Sequence, residues 1–172
     1  MNISQSTRYH RIFAHTLARY DFDVATLDDV DGIVALWPEH WEEAHYKDRG
    51  IVPDEQRYRR WMTACVENGF GVWIAAVARE DHRIVGYINY ELDHNFSVEP
   101  VAVMGNFFVA RAHRRTAVPA ILFDLCLDLA KGDGACAFHA PIASETISSR
   151  SLENSFVKYG FQSIGTMLGR QL

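Results

Sequence analysis

Phe108-Val109-Ala110-Arg111-Ala112-His113-Arg114-Arg115-Thr116-Ala117-Val118-Pro119-Ala120 joins two stretches of different periodicity. Upstream, Val101 to Val109 is a β-branched and aromatic run opened by Pro100, which predicts a strand. Downstream, residues 120–131 place Ile121, Leu122, Leu125, Cys126 and Leu129 on one side of a helix and Asp124, Asp128 and Lys131 on the other. A second strand-like run, Ala135 to Ala140, follows directly. Strand, helix and strand in succession predict a right-handed parallel crossover.

Working outward, Phe22 and Val24 predict a first strand. Thr26-Leu27-Asp28-Asp29 is a capping-box-like start for a helix carrying Ile33, Val34, Leu36 and Trp37. Pro53 and Asp54 open a second helix, with Tyr58, Trp61, Met62, Cys65 and Val66 on one face and an end near Gly69. Val72 to Val77 and Ile84 to Leu92, parted by Glu80-Asp81-His82, predict an antiparallel hairpin. A closing helix from about Ser151 to Tyr159 and a strand from Phe161 to Leu168 complete the set. Residues 1–20 show no clear period and are read as an N-terminal extension to one domain over 21–172. The expected class is α/β, with a mixed twisted sheet of about six to seven strands flanked by about four helices.

The net charge of −5 over 172 residues gives no basic excess for phosphate neutralisation, so nucleic acid is not expected as a partner. Cys65, Cys126 and Cys136 form neither a disulfide framework nor a CxxC site, which points to a reducing compartment, the cytoplasm. No apolar run approaches the roughly 18 residues of a membrane span, so no membrane partner is expected. The arginines and histidines between Arg8 and Arg19 interrupt any apolar signal core.

The order of elements and the string from Phe108 to Ala120 resemble the GNAT acetyltransferases over about Phe22 to Leu168. That family carries a Q/R-x-x-G-x-G/A loop at this crossing. Arg114 takes its first position, Ala117 and Pro119 its two glycine positions, and Leu122 falls where the family has a helix leucine. The resemblance implies acetyl-coenzyme A as cosubstrate. It would be held by Phe108, Val109, Arg114, Arg115, Thr116, Ala117, Val118, Pro119 and Ala120, with Ser149 and Phe156 also at the cofactor. A helix start suits a pyrophosphate because it offers unsatisfied N–H groups and the positive end of a dipole, and Arg111, Arg114 and Arg115 add charge. Pro119 contributes no N–H, although its fixed φ suits a first helical turn.

Ser155-Phe156-Val157-Lys158-Tyr159-Gly160-Phe161 is similar to the family's closing L-Y-e-K-x-G-F stretch, in which the tyrosine usually protonates the departing thiolate. Phe156 occupies that position here; Tyr159, about 300° further around the helix, is the remaining candidate acid. The strings His40-Trp41-Glu42-Glu43, His94-Asn95-Phe96 and His113-Arg114-Arg115 resemble a divergent GNAT subgroup carried by bacteriophages and prophages.

Candidate bases are few. Asn106 stands on the fourth strand where the family often has an acid, and can hold a water but not take a proton. His40 and Glu43, spaced i, i+3 after the first helix, could share a face as a histidine–carboxylate base. The same pair reads equally well as a solvated helix face over Trp37 and Trp41, and without a third ligand it is not expected to hold a metal.

These residues lead to an expected N-acyltransferase, moving an acetyl group from acetyl-coenzyme A to an amine by direct attack in a ternary complex. The acceptor would be a small molecule or a protein amine, and a homodimer is open as an assembly. The alternative is a catalytically weak or inactive GNAT-fold protein, phage-encoded, that binds a host or virion protein. Ala117, Pro119 and Phe156 are the features on its side.

Overall fold

Alternation along the strands sends successive side chains to opposite faces of one sheet, and each face buries its own core. The computed structural model describes residues 15–44, 50–68, 73–95, 97–141, 153–154 and 156–163. Within them the strands β1 (Asp21–Val24), β2 (Trp73–Glu80), β3 (Arg83–Asp93), β4 (Val101–Val109) and β5 (Ala137–His139) lie side by side in chain order. The first three junctions are antiparallel and β4–β5 is parallel, as the crossover requires. Among the described residues, helices α1 (Val30–Glu43), α2 (Glu55–Asn68) and α3 (Val118–Gly132) flank the sheet.

On one face Ile88, Tyr90, Ala102, Met104 and Val109 pack with Val118, Leu122, Phe123, Cys126 and Ala130 of α3. On the other, Val77, Tyr87 and Phe108 pack with Ile33 and Val34 of α1 and Met62 of α2. The architecture is thus the expected α/β sandwich, with five described strands where six to seven were expected. Most of the expected last strand, Phe161 to Leu168, lies outside the described residues.

Three boundaries differ from the sequence reading. Helix α3 starts at Val118, because Pro119 fits a first turn that needs no N–H from it. Its buried stripe is Val118, Leu122, Phe123, Cys126 and Ala130, so Ile121, Leu125 and Leu129 are half-buried and Phe123 turns fully inward. β5 pairs over three residues only, against the six expected. In the segment read as an extension, Thr16 and Tyr20 are buried, and Tyr20 packs in the α3-side core.

A capping box and a buried ion pair fasten the entry to α1. The Asp29 carboxylate accepts the Thr26 N–H (2.8 Å) and hydroxyl (2.9 Å), and takes a fork from Arg79 of β2, with Nε at 2.7 Å from Oδ1. Burial would push the Asp29 carboxyl up, but Arg79 and Thr26 together hold it below its ordinary range. One turn on, Gly32 lets α1 touch β3: a Cβ there would lie 2.4 Å from Cγ1 and 3.0 Å from Cβ of Ile84.

Gly32→Ala gains about 1 kcal/mol of helix propensity but forces β-branched Ile84 aside, which costs about 1–3 kcal/mol. Urea unfolding should show a net loss, and Gly32→Ala with Ile84→Ala should recover part of it. Asp29→Asn should cost about 3 kcal/mol at pH 7 by leaving Arg79 half-buried and unpaired. Because the folded Asp29 pKa is depressed, its contribution is complete above the unfolded value near 4 and fades as pH falls through the folded one. The stability gap between wild type and Asp29→Asn should therefore narrow steadily on acidification below the unfolded value near 4.

Candidate active site

β4 has a β5 neighbour only from Val101 to Val103, so from Met104 to Val109 its second edge is open among the described residues. At the start of this open stretch β4 carries a bulge, with Gly105 and Asn106 opposing the single residue Asn89 of β3. Asn89 is fully buried, and its Oδ1 accepts the Asn106 N–H at 2.6 Å. The Ala110 N–H also points to β3, donating to the Val85 carbonyl at 2.9 Å. By alternation Phe108 turns its amide to β3, and Phe107 and Val109 turn theirs to the open edge.

Beyond Val109 the chain makes a 3-10 turn over Arg111–His113 and enters α3. The Thr116 hydroxyl donates to the His113 carbonyl (2.6 Å) and accepts the Val118 N–H (3.1 Å). Ala117 is right-handed (φ −80°, ψ −1°), so alanine sits without strain at a family glycine position. With Val118 used and Pro119 lacking an N–H, Ala117 and Ala120 carry the N–H groups without an acceptor among the described residues. Gly86 lets α3 come this close to the sheet: a Cβ there would meet Val109 Cγ2 at 3.0 Å and Leu122 Cδ2 at 3.4 Å.

The loop's arginines are divided. Arg114 donates from Nε to the Val109 carbonyl (2.6 Å) and from Nη2 to Glu43 (2.6 Å), and its guanidinium carbon lies 5.2 Å from the Phe108 ring centre. Arg111 donates from Nε to Glu43 (2.6 Å) and from its backbone N–H to Glu39 (3.0 Å). Burial would push the Glu43 carboxyl up, but its bonds from Arg114 and Arg111 hold it below the usual carboxylate range. Arg115 is exposed and makes no ion pair among the described residues.

His40 and Glu43 do share the last turn of α1, but they serve different partners. The His40 ring stacks on Phe108 (centroids 4.9 Å apart), and its Nδ1 lies 2.6 Å from the Tyr87 hydroxyl. The Tyr58 hydroxyl lies 2.9 Å from that of Tyr87, so the three groups form one hydrogen-bonded chain, in which a Tyr87 proton given to Nδ1 would leave the His40 proton on Nε2. Burial is the main cause that lowers the His40 pKa to about 4; Arg114 adds to it and Glu43 opposes it. His40 is therefore neutral at pH 7 and presents an N–H donor.

Phe156 is buried in the α3-side core, with ring centres 5.1 Å from Phe123 and 5.3 Å from Phe161. Tyr159 lies edge-on to Phe123 at 5.2 Å, and burial, then Asp124, raises its pKa. Asn106 contributes its backbone N–H to the bulge. Ser149 lies outside the described residues. The sequence reading passed over Tyr58, Tyr87, Asn89 and Glu39. Asn89 had a signal, being the amide within the otherwise apolar and aromatic run Ile84 to Tyr90.

An open β-edge running into a helix N-terminus through a basic loop, on a mixed sheet in this order, defines an acetyltransferase-type fold. The chain belongs to the acetyltransferase (GNAT) family, whose model matches residues 32–152. Its structure is similar to aminoglycoside N-acetyltransferase AAC(6')-Iy in complex with coenzyme A, at 11% identity and TM-score 0.70, covering 89% of this chain and 94% of that one. An aminoglycoside acetyltransferase from an uncultured soil metagenomic sample gives 19% identity and TM-score 0.69, covering 89% and 98%. The ribosomal-protein-alanine N-acetyltransferase of Brucella melitensis biovar Abortus 2308 gives 14% and 0.68, covering 89% and 99%. No curated protein matches the sequence. Among the described residues, no helix is long and apolar enough to cross a membrane.

Imidazole NMR should find His40 neutral down to about pH 5 and protonated on Nε2. Tyr87→Phe removes the donor to Nδ1, so the tautomer preference should weaken while the fold persists. A His40 titration near pH 6.5 in the wild type would contradict this arrangement.

Proposed function

We propose that this protein transfers an acetyl group from acetyl-coenzyme A to a primary amine by direct attack in a ternary complex. The observation that carries the reading is the open edge of β4, whose Val109 amide faces outward just before the N-terminus of α3. The Ala117 and Ala120 N–H groups and the Arg115 side chain would hold the pyrophosphate, with the positive end of the α3 dipole behind them. Acetyl-coenzyme A supplies, when bound, a thioester carbonyl within reach of the amine.

Each side chain takes a role its environment permits. The outward Val109 N–H is the donor placed for charge developing on a carbonyl oxygen. Neutral His40 donates from Nε2 and so orients an acceptor oxygen, with Tyr58 and Tyr87 fixing its ring. Tyr159 keeps its proton at pH 7 and is the remaining candidate to give one to a leaving thiolate, its raised pKa making it a weaker acid than a free tyrosine. The amine is a small molecule or a protein amine, and the acidic net charge favours a cationic one. A second reading, a phage-encoded GNAT-fold binder of a host or virion protein with little activity, draws on Pro119 and Phe156.

Calorimetry separates the two. On the transfer reading acetyl-coenzyme A binds at micromolar to low millimolar Kd, and Arg115→Ala weakens it about three- to tenfold; no binding at millimolar cofactor leaves the binder reading. In a thiol-release assay with an aminoglycoside and an alanine-terminated peptide as acceptors, Tyr159→Phe should lower kcat more than about tenfold with little change in KM. Equal turnover would remove Tyr159 from the mechanism.

A further inference from the structure

Four charges close the gap between α1 and the basic loop, and they cancel. Glu43 holds Arg111 and Arg114 at 2.6 Å each, while Glu39 accepts the Arg111 backbone N–H and lies 3.8 Å from its Nε. Both loop cations are thus satisfied by carboxylates before any phosphate arrives. Arg114 also covers the Val109 carbonyl on the open β4 edge, where an extended ligand would pair.

Resting on the acetyl-transfer reading, we propose that Glu39 and Glu43 stand in for the cofactor's phosphates on Arg111 and Arg114 and, once displaced, bind the ammonium groups of a polycationic acceptor. A guanidinium donates to carboxylate and phosphate oxygens alike, so the Arg111 Nε and Arg114 Nη2 bonds that now go to Glu43 can pass to phosphate oxygens without leaving either donor unpaired. Arg111 is largely exposed, and exposed ion pairs add little stability, which makes the clasp easy to open. The released carboxylates cannot stay unpaired at equal ease. Glu39 and Glu43 are i, i+4 neighbours of like charge, both partly buried, in the last turn of α1 where the helix dipole favours cations. An ammonium restores what the arginines supplied. By linkage, coenzyme A and the amine then strengthen each other's binding by one common factor.

A clasp that only braced the loop would behave in the opposite way, because loosening it would weaken the cofactor site. Calorimetry on the full chain distinguishes the two, with coenzyme A and spermidine as probes. Glu43→Gln should tighten coenzyme A binding about three- to tenfold, and Glu39→Gln should do so to a smaller degree. Spermidine should bind the wild type at least about fivefold more tightly with saturating coenzyme A, and the double variant should lose that coupling. Thermal melting checks folding, and Glu39→Gln carries the test if Glu43→Gln melts early. Unchanged or weaker coenzyme A binding in both single variants overturns the proposal, as does equal spermidine affinity with and without coenzyme A. If the wild type binds no coenzyme A, binding gained by the double variant supports the exchange. Absence of binding in both removes it together with the transfer reading, whereas wild-type binding with unchanged variants removes the exchange alone.

Discussion

The site depends on one hydrogen bond, from the Asn106 amide to the Asn89 side chain at 2.6 Å. It holds the extra residue of the β4 bulge, and a bulged strand bends and twists away from its neighbour. Among the described residues β5 pairs with β4 just before the bulge and no further, and the Val109 amide beyond it faces an open edge. The arrangement has a cost: Asn89 Nδ2 is buried without a hydrogen-bond partner among the described residues, a penalty of about 1–3 kcal/mol. Stability is spent here to keep an edge free.

Around that edge the polar groups are set by neighbours more than by their own chemistry. His40, between two carboxylate-bearing positions of one helix turn, is neutral because Phe108 and Tyr87 enclose it. Glu43, partly buried, stays ionised because two guanidiniums face it. A histidine–carboxylate base and an arginine clasp use the same residue spacing, and the loop packed against α1 decides between them.

Much of the fold was legible in the chain. β4 occupies the predicted Val101 to Val109, the capping box at Thr26 opens the first helical segment, and Asp81-His82 forms the hairpin turn. These features rest on local periodicity, capping and turn chemistry, which act within a few residues. The start of α3 is two residues earlier than the periodicity alone gives, because the first turn, with Val118 and Pro119, is set by the fixed φ of proline and not by the polar stripe that begins at Asp124. The inward turn of Phe123 was not legible, since it follows from the aromatic rings of Phe107, Phe138, Phe156 and Phe161 gathered around it by tertiary packing.

The sequence by itself determined the order of the described elements, the crossover from β4 through α3 to β5 and the family. All follow from spacing along the chain. Tertiary structure alone decided that Arg114 caps the Val109 carbonyl and grips Glu43, 71 residues away, while Arg115 makes no ion pair among the described residues. It also decided that Tyr87, 47 residues from His40, is the hydrogen-bond partner of that imidazole's Nδ1. The physical reason is that a residue's charge and hydrogen-bond role depend on what surrounds it, and those surroundings come from segments that sequence spacing does not relate.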